Sequence, residues 1–208
     1  LQRLGQVERF YALDMETGDF VAQFNLLKSD GTPCTAHVGG IAASEYNLYI
    51  ADEGQTISYV PLSELNVTPG TKKDITIVDT ATIGELGDGG TSFCSIDAGI
   101  LWTGNFYRDE TPTDKAYTTP ANSKYHSMIF GYALSGSSSA FEWDAFKNGA
   151  IKSVDSDGNV TERFSNNCVG NPTYSIAVPN DITKIQCALV SEGRLYMGTS
   201  YGRQNACS

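Results

Sequence analysis

The sequence lacks any apolar run close to the ~20 residues that a membrane-spanning helix requires, and it has no signal-peptide core at Leu1. It also lacks a basic block, because 24 Asp and Glu outweigh 14 Lys and Arg to give a formal charge of -10. Sequence-independent binding to nucleic acid needs clustered cations, so we expect no nucleic-acid binding. Because a long apolar run is lacking, we also expect no membrane span. The absence of an initiator Met predicts a processed mature chain or a fragment of a longer one.

Motifs for catalysis and cofactors are missing as well. The sequence contains no GxGxxG, P-loop or GxSxG, and its two His residues are too few for a His-rich metal site. Asp155, Asp157 and Asn159 have the alternating spacing of calcium ligands, but without the rest of an EF-hand loop a plain hairpin turn is the better interpretation. We therefore predict no metal and no cofactor.

The five cysteines show no CxxC or Cys/His metal spacing. Several stand beside loop residues, which favours disulfide bonds and an oxidising compartment, and hence a secreted or cell-surface protein. The first candidate pair is Cys94 with Cys187, on equivalent strands of the repeat described below, and a looser candidate is Cys34 with Cys168. The alternative is a cytosolic protein with free buried thiols.

Three tripeptides fit the acceptor sequence for N-glycosylation. Asn66 and Asn159 each begin an Asn-Val-Thr sequence, and Asn166 begins the rarer Asn-Asn-Cys form. These tripeptides carry weight only if the chain is secreted, so they depend on the same expectation as the disulfide bonds.

One hairpin pattern recurs three times: an apolar run, a short polar turn and a second apolar run. The copies are His37–Asp52, Ser92–Asn105 and Gln186–Tyr201. Alignment of their first strands places Gly40, Cys94 and Cys187 at equivalent positions. Third strands also match, at 58–62 and 130–134, and the fourth-strand role falls to Phe20–Leu26, Asp74–Thr80 and Asn159–Phe164. A short helix is predicted at Ala140–Lys147, with Phe141, Trp143 and Phe146 buried.

Repeated four-stranded units bury their faces by radial stacking, so the pattern predicts an all-β protein, a β-propeller of four-stranded antiparallel blades. A β-sandwich is the alternative. The single domain 1–208 then divides into a half-blade at 7–26, a blade at 37–83, a blade at 92–164 with an insertion at 106–125, and a half-blade at 184–208. The N-terminal pair could complete the last blade, or the chain is a partial propeller or a fragment of a larger one.

The segments HVGGIA…LYIAD, FCSID…LWTGN and QCALV…LYMGTSYGR resemble a group of secreted β-propeller proteins of largely uncharacterised function, over roughly residues 7–205. Cys94 and Cys187 depart from that pattern, which has small residues there. The YALDMETG hairpin also resembles the repeat of quinoprotein propellers, and the blades resemble NHL and lactonase-type propellers. Neither resemblance brings catalytic residues, because quinone-stacking Trp layers and the acidic metal set have no match.

Candidate ligand-binding residues lie near one mouth of the predicted axial channel: His37, Gln186, Tyr201 and Arg203. Arg203 could clamp an acidic ligand, and His37 is better interpreted as a tie between blades. The insertion Phe106–Tyr125, with Tyr107, Tyr117 and Tyr125 expected at the surface, is the leading contact region.

The resulting prediction is an extracellular non-catalytic module that binds protein or glycan partners or serves as a structural scaffold. It includes the variant of an assembly of chains, joined through the odd cysteine or an open blade edge. A lactonase- or quinoprotein-like enzyme with its active site at the axial mouth is the alternative function.

Overall fold

The computed structural model describes residues 7–52, 55–83, 91–107, 117–118, 123–148, 151–154, 160–163, 168–169 and 172–199. Within these ranges the chain forms strands and a single α-helix, so the all-β class is confirmed. The strands are β1 Arg9–Leu13, β2 Phe20–Leu27, β3 Val38–Ala43, β4 Asn47–Asp52, β5 Thr56–Pro61, β6 Thr71–Thr76, β7 Asp79–Ile83, β8 Phe93–Asp97, β9 Ile100–Gly104, β10 Tyr117–Thr118, β11 Lys124–Tyr125, β12 Ser127–Ala133, β13 Ile151–Val154, β14 Val160–Arg163, β15 Cys168–Val169, β16 Tyr174–Val178, β17 Ile185–Ser191 and β18 Arg194–Thr199. The helix α1 spans Ser139–Asn148, and a 3₁₀ turn spans Leu62–Leu65.

The first of the repeated hairpins is β3–β4, and it opens an antiparallel meander in the order β3, β4, β5, β7. Ile41 lies opposite Ile50, and Ile57 lies opposite Ala81, so apolar side chains of neighbouring strands share a face. The short strand β15 adds to the outer edge of β7 in parallel. We call these strands the first meander.

The second meander has the order β8, β9, β12, β16. Its outermost strand corrects the sequence prediction, which gave the fourth-strand role to Asn159–Phe164. Val160–Arg163 instead pairs with Ile151–Val154 in a separate two-stranded ribbon. The ribbon joins two strands that are close in sequence, whereas Tyr174–Val178 brings a fully buried Val178 to the core face.

The predicted fourth strand Asp74–Thr80, part of a mostly β-branched run at 74–83, is not one strand. It divides into β6, which runs parallel to β2, and β7, which pairs with β5. Each half serves a different core: Ile75 and Ile77 are buried on the side of β2, and Ala81 and Ile83 are buried on the other side. The strands β1, β2 and β6 therefore form a separate N-terminal sheet, and β2 and β6 are neighbours in it.

Three cores follow one another along the chain. The first lies between the N-terminal sheet and the first meander, the second lies between the two meanders, and the third lies between the second meander and the C-terminal hairpin formed by β17 and β18. This arrangement places four sheets in sequence, each packed on the next. No set of sheets closes into a barrel or a ring within the described ranges.

The helix α1 closes the middle core with aromatic side chains. Trp143 stacks on Tyr59 with ring centroids 4.5 Å apart, and Phe146 meets Tyr49 edge-on at 5.9 Å. These two helical residues are three positions apart and so share one face. Phe141 lies off that face and is exposed, which corrects the prediction that all three aromatic residues are buried.

Backbones approach closely where the first strands of the three hairpins begin. A side chain at Gly39 would place its Cβ 2.6 Å from the carbonyl oxygen of Ser92, and one at Gly40 would lie 3.0 Å from the amide of Cys94. The hydroxyl of Ser92 in turn donates to the carbonyl of Ile185 at 2.8 Å. The beginnings of β3, β8 and β17 therefore lie side by side, and Gly at 39 permits this spacing.

Candidate functional site

Two of the four residues predicted at the axial mouth are described, His37 and Gln186. His37 directly precedes β3, Gln186 is the second residue of β17, and both are exposed. The contacts from Gly39 to Ser92 and from Ser92 to Ile185 bring the ends of these strands to the same side of the protein. Tyr201 and Arg203 lie outside the described residues, so a binding site at this mouth stays a prediction.

Both predicted disulfide pairings are wrong, because Cys34, Cys94 and Cys187 are free thiols. Strand register explains the error for Cys94 and Cys187. Cys187 lies opposite Gly198, whereas the residue opposite the equivalent Gly104 is Phe93 and not Cys94. A shift of one residue turns a strand side chain to the opposite face of the sheet.

The two thiols consequently have different surroundings. Cys94 is buried between the meanders, where its Sγ donates to the carbonyl oxygen of Tyr49 at 3.7 Å. Burial raises the pKa of Cys94 to about 12, which keeps it protonated and unreactive at neutral pH. Cys187 is exposed on the outer face of the C-terminal hairpin.

The insertion at 106–125 does not present its tyrosines as expected. Tyr107 is buried and its ring stacks on His126, with centroids 4.4 Å apart and planes at 7°. Tyr125 is half-buried, and the side chain of Tyr117 lies outside the described residues. Tyr107 is therefore part of the fold, and its exposure was wrongly predicted.

Of the glycosylation candidates, Asn66 is described, and it is exposed directly after the 3₁₀ turn, with Thr68 exposed beside it. Asn159 and Asn166 lie outside the described residues, as do Asp155 and Asp157. Among the residues that are described, no three His, Cys, Asp or Glu side chains group as metal ligands. No helix in the described part of the chain has the length and apolar character to cross a membrane.

A cleft that the sequence did not predict opens between the turns of the two meanders and α1. It has a volume of about 400 Å³. Four segments line it: the β3–β4 turn at 43–46, the β8–β9 hairpin at Ile96 and Gly99, the segment 134–136 after β12, and Glu142 of α1. The cleft thus lies at the end of the inner hairpins opposite His37.

Glu142 is the central polar group of this cleft. Its Oε1 accepts hydrogen bonds from Ser44 Oγ at 2.5 Å, Asn47 Nδ2 at 3.1 Å and the hydroxyl of Tyr49 at 2.9 Å. Burial, followed by the negative charge of Glu142, raises the pKa of Tyr49 and keeps its hydroxyl protonated as a donor. One carboxylate oxygen therefore receives all three bonds.

The local sequence explains how the turn and the helix hold this carboxylate. Ser44 Oγ accepts from the backbone amides of Tyr46 and Asn47, which shapes the β3–β4 turn. Asn47 also bonds Ser139 at the start of α1, through Nδ2 to the carbonyl oxygen at 3.0 Å and through Oδ1 from the hydroxyl at 2.5 Å. An acidic residue such as Glu142 is common in the first turn of a helix, where it interacts favourably with the helix dipole. No local sequence pattern therefore distinguishes it as a site residue.

The cleft is electrostatically negative. Glu142 is 5% exposed, and Glu45 at the rim adds a second carboxylate. Among the described residues that line it there is no Lys, Arg or His, and Lys147 of α1 is paired with Asp79 at 2.6 Å. A buried carboxylate held by neutral donors alone favours a cationic group as its partner in the cleft.

Comparison with known protein families and with curated proteins finds no match to this sequence. The resemblance to secreted β-propellers therefore remains a prediction from the repeated motifs.

Proposed function

We propose that the protein is an extracellular, non-catalytic β-propeller that serves as a rigid binding or scaffold module for other proteins. The observation that carries the proposal is the side-by-side packing of β3, β8 and β17, the first strands of three successive hairpins. Strands that converge in this way, each leading a sheet that packs on the next, are the arrangement expected around a propeller axis.

The acidic cleft supports a binding role and favours a protein partner over a neutral glycan. Lys and Arg side chains offer a cation on a long apolar stem, which suits a cleft walled by Ile96, Leu134 and the Tyr46 turn with Glu142 at its base. The guanidinium of Arg is the better match, because its planar set of donors fits the geometry of a carboxylate better than the compact ammonium of Lys does.

Secretion or display at the cell surface is part of the proposal. The exposed Asn66 sequon supports it, because a glycan can attach there without disturbing a core. The cysteines give no support, since the described thiols are unpaired. The enzyme alternative at the axial mouth depends on Tyr201 and Arg203 and has no described observation in its favour.

The test is titration of the protein with acetyl-arginine amide and, separately, with glucose, followed by NMR of backbone amides. We expect arginine amide to shift the signals of Ser44, Gly99 and Gly136 saturably, and glucose to leave them unchanged. Glu142→Gln retains an Oε1 acceptor for Ser44, Asn47 and Tyr49 while removing the charge, so its binding should weaken at least about tenfold. Glu16→Gln in the exposed β1–β2 turn is the matched control and should bind as wild type. Shifts that persist in Glu142→Gln, or their absence in wild type, would reject the cleft as the binding site.

A further inference from the structure

The two ends of the row of sheets each leave a sheet edge open. In the order of strands, β1 is an outer strand of the N-terminal sheet and β18 is the outer strand of the C-terminal hairpin. Within the described residues neither of these two edges pairs with a further strand. By the repeat pattern, β17 and β18 are the first and second strands of a blade, whereas β1 and β2 resemble third and fourth strands, so each end has what the other lacks.

Exposed apolar side chains occur on the faces next to these ends. Tyr11 and Leu13 point away from the first meander, because the alternating Phe10 and Ala12 pack against it. Leu189 and Tyr196 lie opposite each other on the outer face of the C-terminal hairpin, while its other face packs on the second meander. Each terminal sheet therefore exposes at least two large apolar side chains on the face turned away from the cores, although polar side chains share that face in the N-terminal sheet. Neighbouring exposed apolar side chains of this kind are typical of an interaction surface.

Each meander also exposes an apolar side chain on a face that the neighbouring terminal sheet covers only in part. Ile41 of β3 shares a face with the buried Ile50, but the N-terminal sheet does not reach far enough to cover it. Tyr174 of β16 shares a face with the buried Val178 and lies beyond the C-terminal hairpin. Six residues on these four faces are between 47% and 59% exposed: Tyr11, Leu13, Ile41, Tyr174, Leu189 and Tyr196.

One added blade would cover all of these faces. Its inner strands would have to be β17 and β18, and its outer strands β1 and β2, joined along β18 and β1. Pairing of the two halves within one copy would close a ring of three blades, which is fewer than the usual ~4. Two copies would make a ring of about six blades, within the usual range.

We propose that the partner of these faces is a second copy of this chain. The C-terminal hairpin of each copy pairs with the N-terminal sheet of the other, which gives a closed two-fold dimer with two composite blades. The proposal rests on the propeller architecture proposed above, but not on the acidic cleft. Register places Ile41 at the position equivalent to Ala188, so Cys187 of one copy would meet Ile41 of the second copy.

The first test measures the mass of the chain in solution by sedimentation over a range of concentrations. We expect twice the chain mass of 22.4 kDa. Leu189→Lys and Tyr11→Lys should each raise the dimer dissociation constant at least about tenfold, because each places a charge at two symmetric sites of the interface. Met15→Lys, also at an exposed apolar residue but in the β1–β2 turn, is the matched control and should leave the dimer intact.

The second test is a cross-link that does not depend on a destabilising change. In Ile41→Cys, oxidised glutathione should join Cys187 of one copy to the new cysteine of the other and give a covalent dimer. The proposal would be overturned by a monomer at all concentrations or by an open polymer. It would also be overturned by a dimer that neither Lys variant weakens and that forms no cross-link. A monomer that still binds arginine amide would reject the dimer alone, whereas a dimer that fails to bind it would reject the cleft alone.

Discussion

The first and third copies of the repeated hairpin share a Ser-Glu turn and a Leu-Tyr pair but have different surroundings. In β4, the residues Leu48, Tyr49, Ile50 and Ala51 are all buried, because the N-terminal sheet covers one face and the second meander the other. Of the equivalent residues 195–198 of β18, Tyr196 is exposed and the other three are half-buried, because one face alone is covered. Burial at a given repeat position is therefore set by the neighbouring sheets and not by the residue.

The largest effect expected from this comparison is on stability. Tyr49→Ala removes a fully buried ring, so we expect a loss of about 3–5 kcal/mol in the free energy of unfolding. The equivalent Tyr196→Ala removes an exposed ring and should cost less than about 1 kcal/mol in a dissociated chain. Urea denaturation at a concentration below the dimer dissociation constant measures both. Equal losses would contradict the difference between the two hairpins.

The next effect is chemical and compares Cys94 with Cys187. Because Cys94 is buried and its pKa is raised to about 12, we expect it to react with iodoacetamide only when the protein unfolds. Cys187 should react at least about a hundredfold faster in the native monomer. Mass spectrometry of peptides after timed labelling gives both rates. Equal rates in native protein would mean that the register assigned to one of the two strands is wrong.

The smallest effect concerns Asp79, which anchors α1 over the middle core and has no counterpart at the C-terminal hairpin. Burial opposes ionisation of Asp79, but hydrogen bonds from Lys147, Trp143 and the amide of Thr80 outweigh it and lower its pKa. A lowered pKa stabilises the folded state above the ordinary value of 3.8, and this contribution disappears as the pH falls through the lower folded value.

We therefore expect Asp79→Asn to lose about 1 kcal/mol of stability at pH 7, because the pair is partly screened by solvent. The stabilities of this variant and of wild type should converge below pH 3.8 in urea melts. A constant difference down to pH 2 would show that Asp79 acts through packing instead of charge. Lys147→Met serves as the paired control and should lose only the share of the acid-dependent part that Lys147 supplies, because Trp143 and the amide of Thr80 still bond Asp79.

Much of the local structure was predictable from sequence. The hairpins at 37–52 and 92–105 each consist of two apolar runs around a short turn, and the helix after Ser138 has both a capping serine and buried aromatic residues at three-residue spacing. Local features of this kind depend on propensity and on residues close in the chain, so the pattern carries them.

Pairing between segments distant in sequence was harder to predict from the sequence. The run 74–83 is mostly β-branched, and its composition does not mark the division at 77–78 that sends one half to each sheet. Likewise, alignment by similarity matched Cys94 with Cys187, whereas the strand register matches Phe93 with Cys187. This error of one residue put Cys94 on the wrong face of its sheet. The acidic cleft was missed because Ser44, Asn47 and Glu142 come from segments about ninety-five residues apart.

By itself the sequence determined the all-β class, the three repeated hairpins and the small residues where their first strands meet, because these follow from alternation, turn chemistry and size. The tertiary structure alone decided which strands are outermost, which thiols are buried and which carboxylate lies at the base of the cleft. The reason is that register and sheet order depend on the free energy of burying whole faces against distant neighbours. The proposed second copy would act through the same free energy, by burying the exposed apolar side chains of the two terminal sheets.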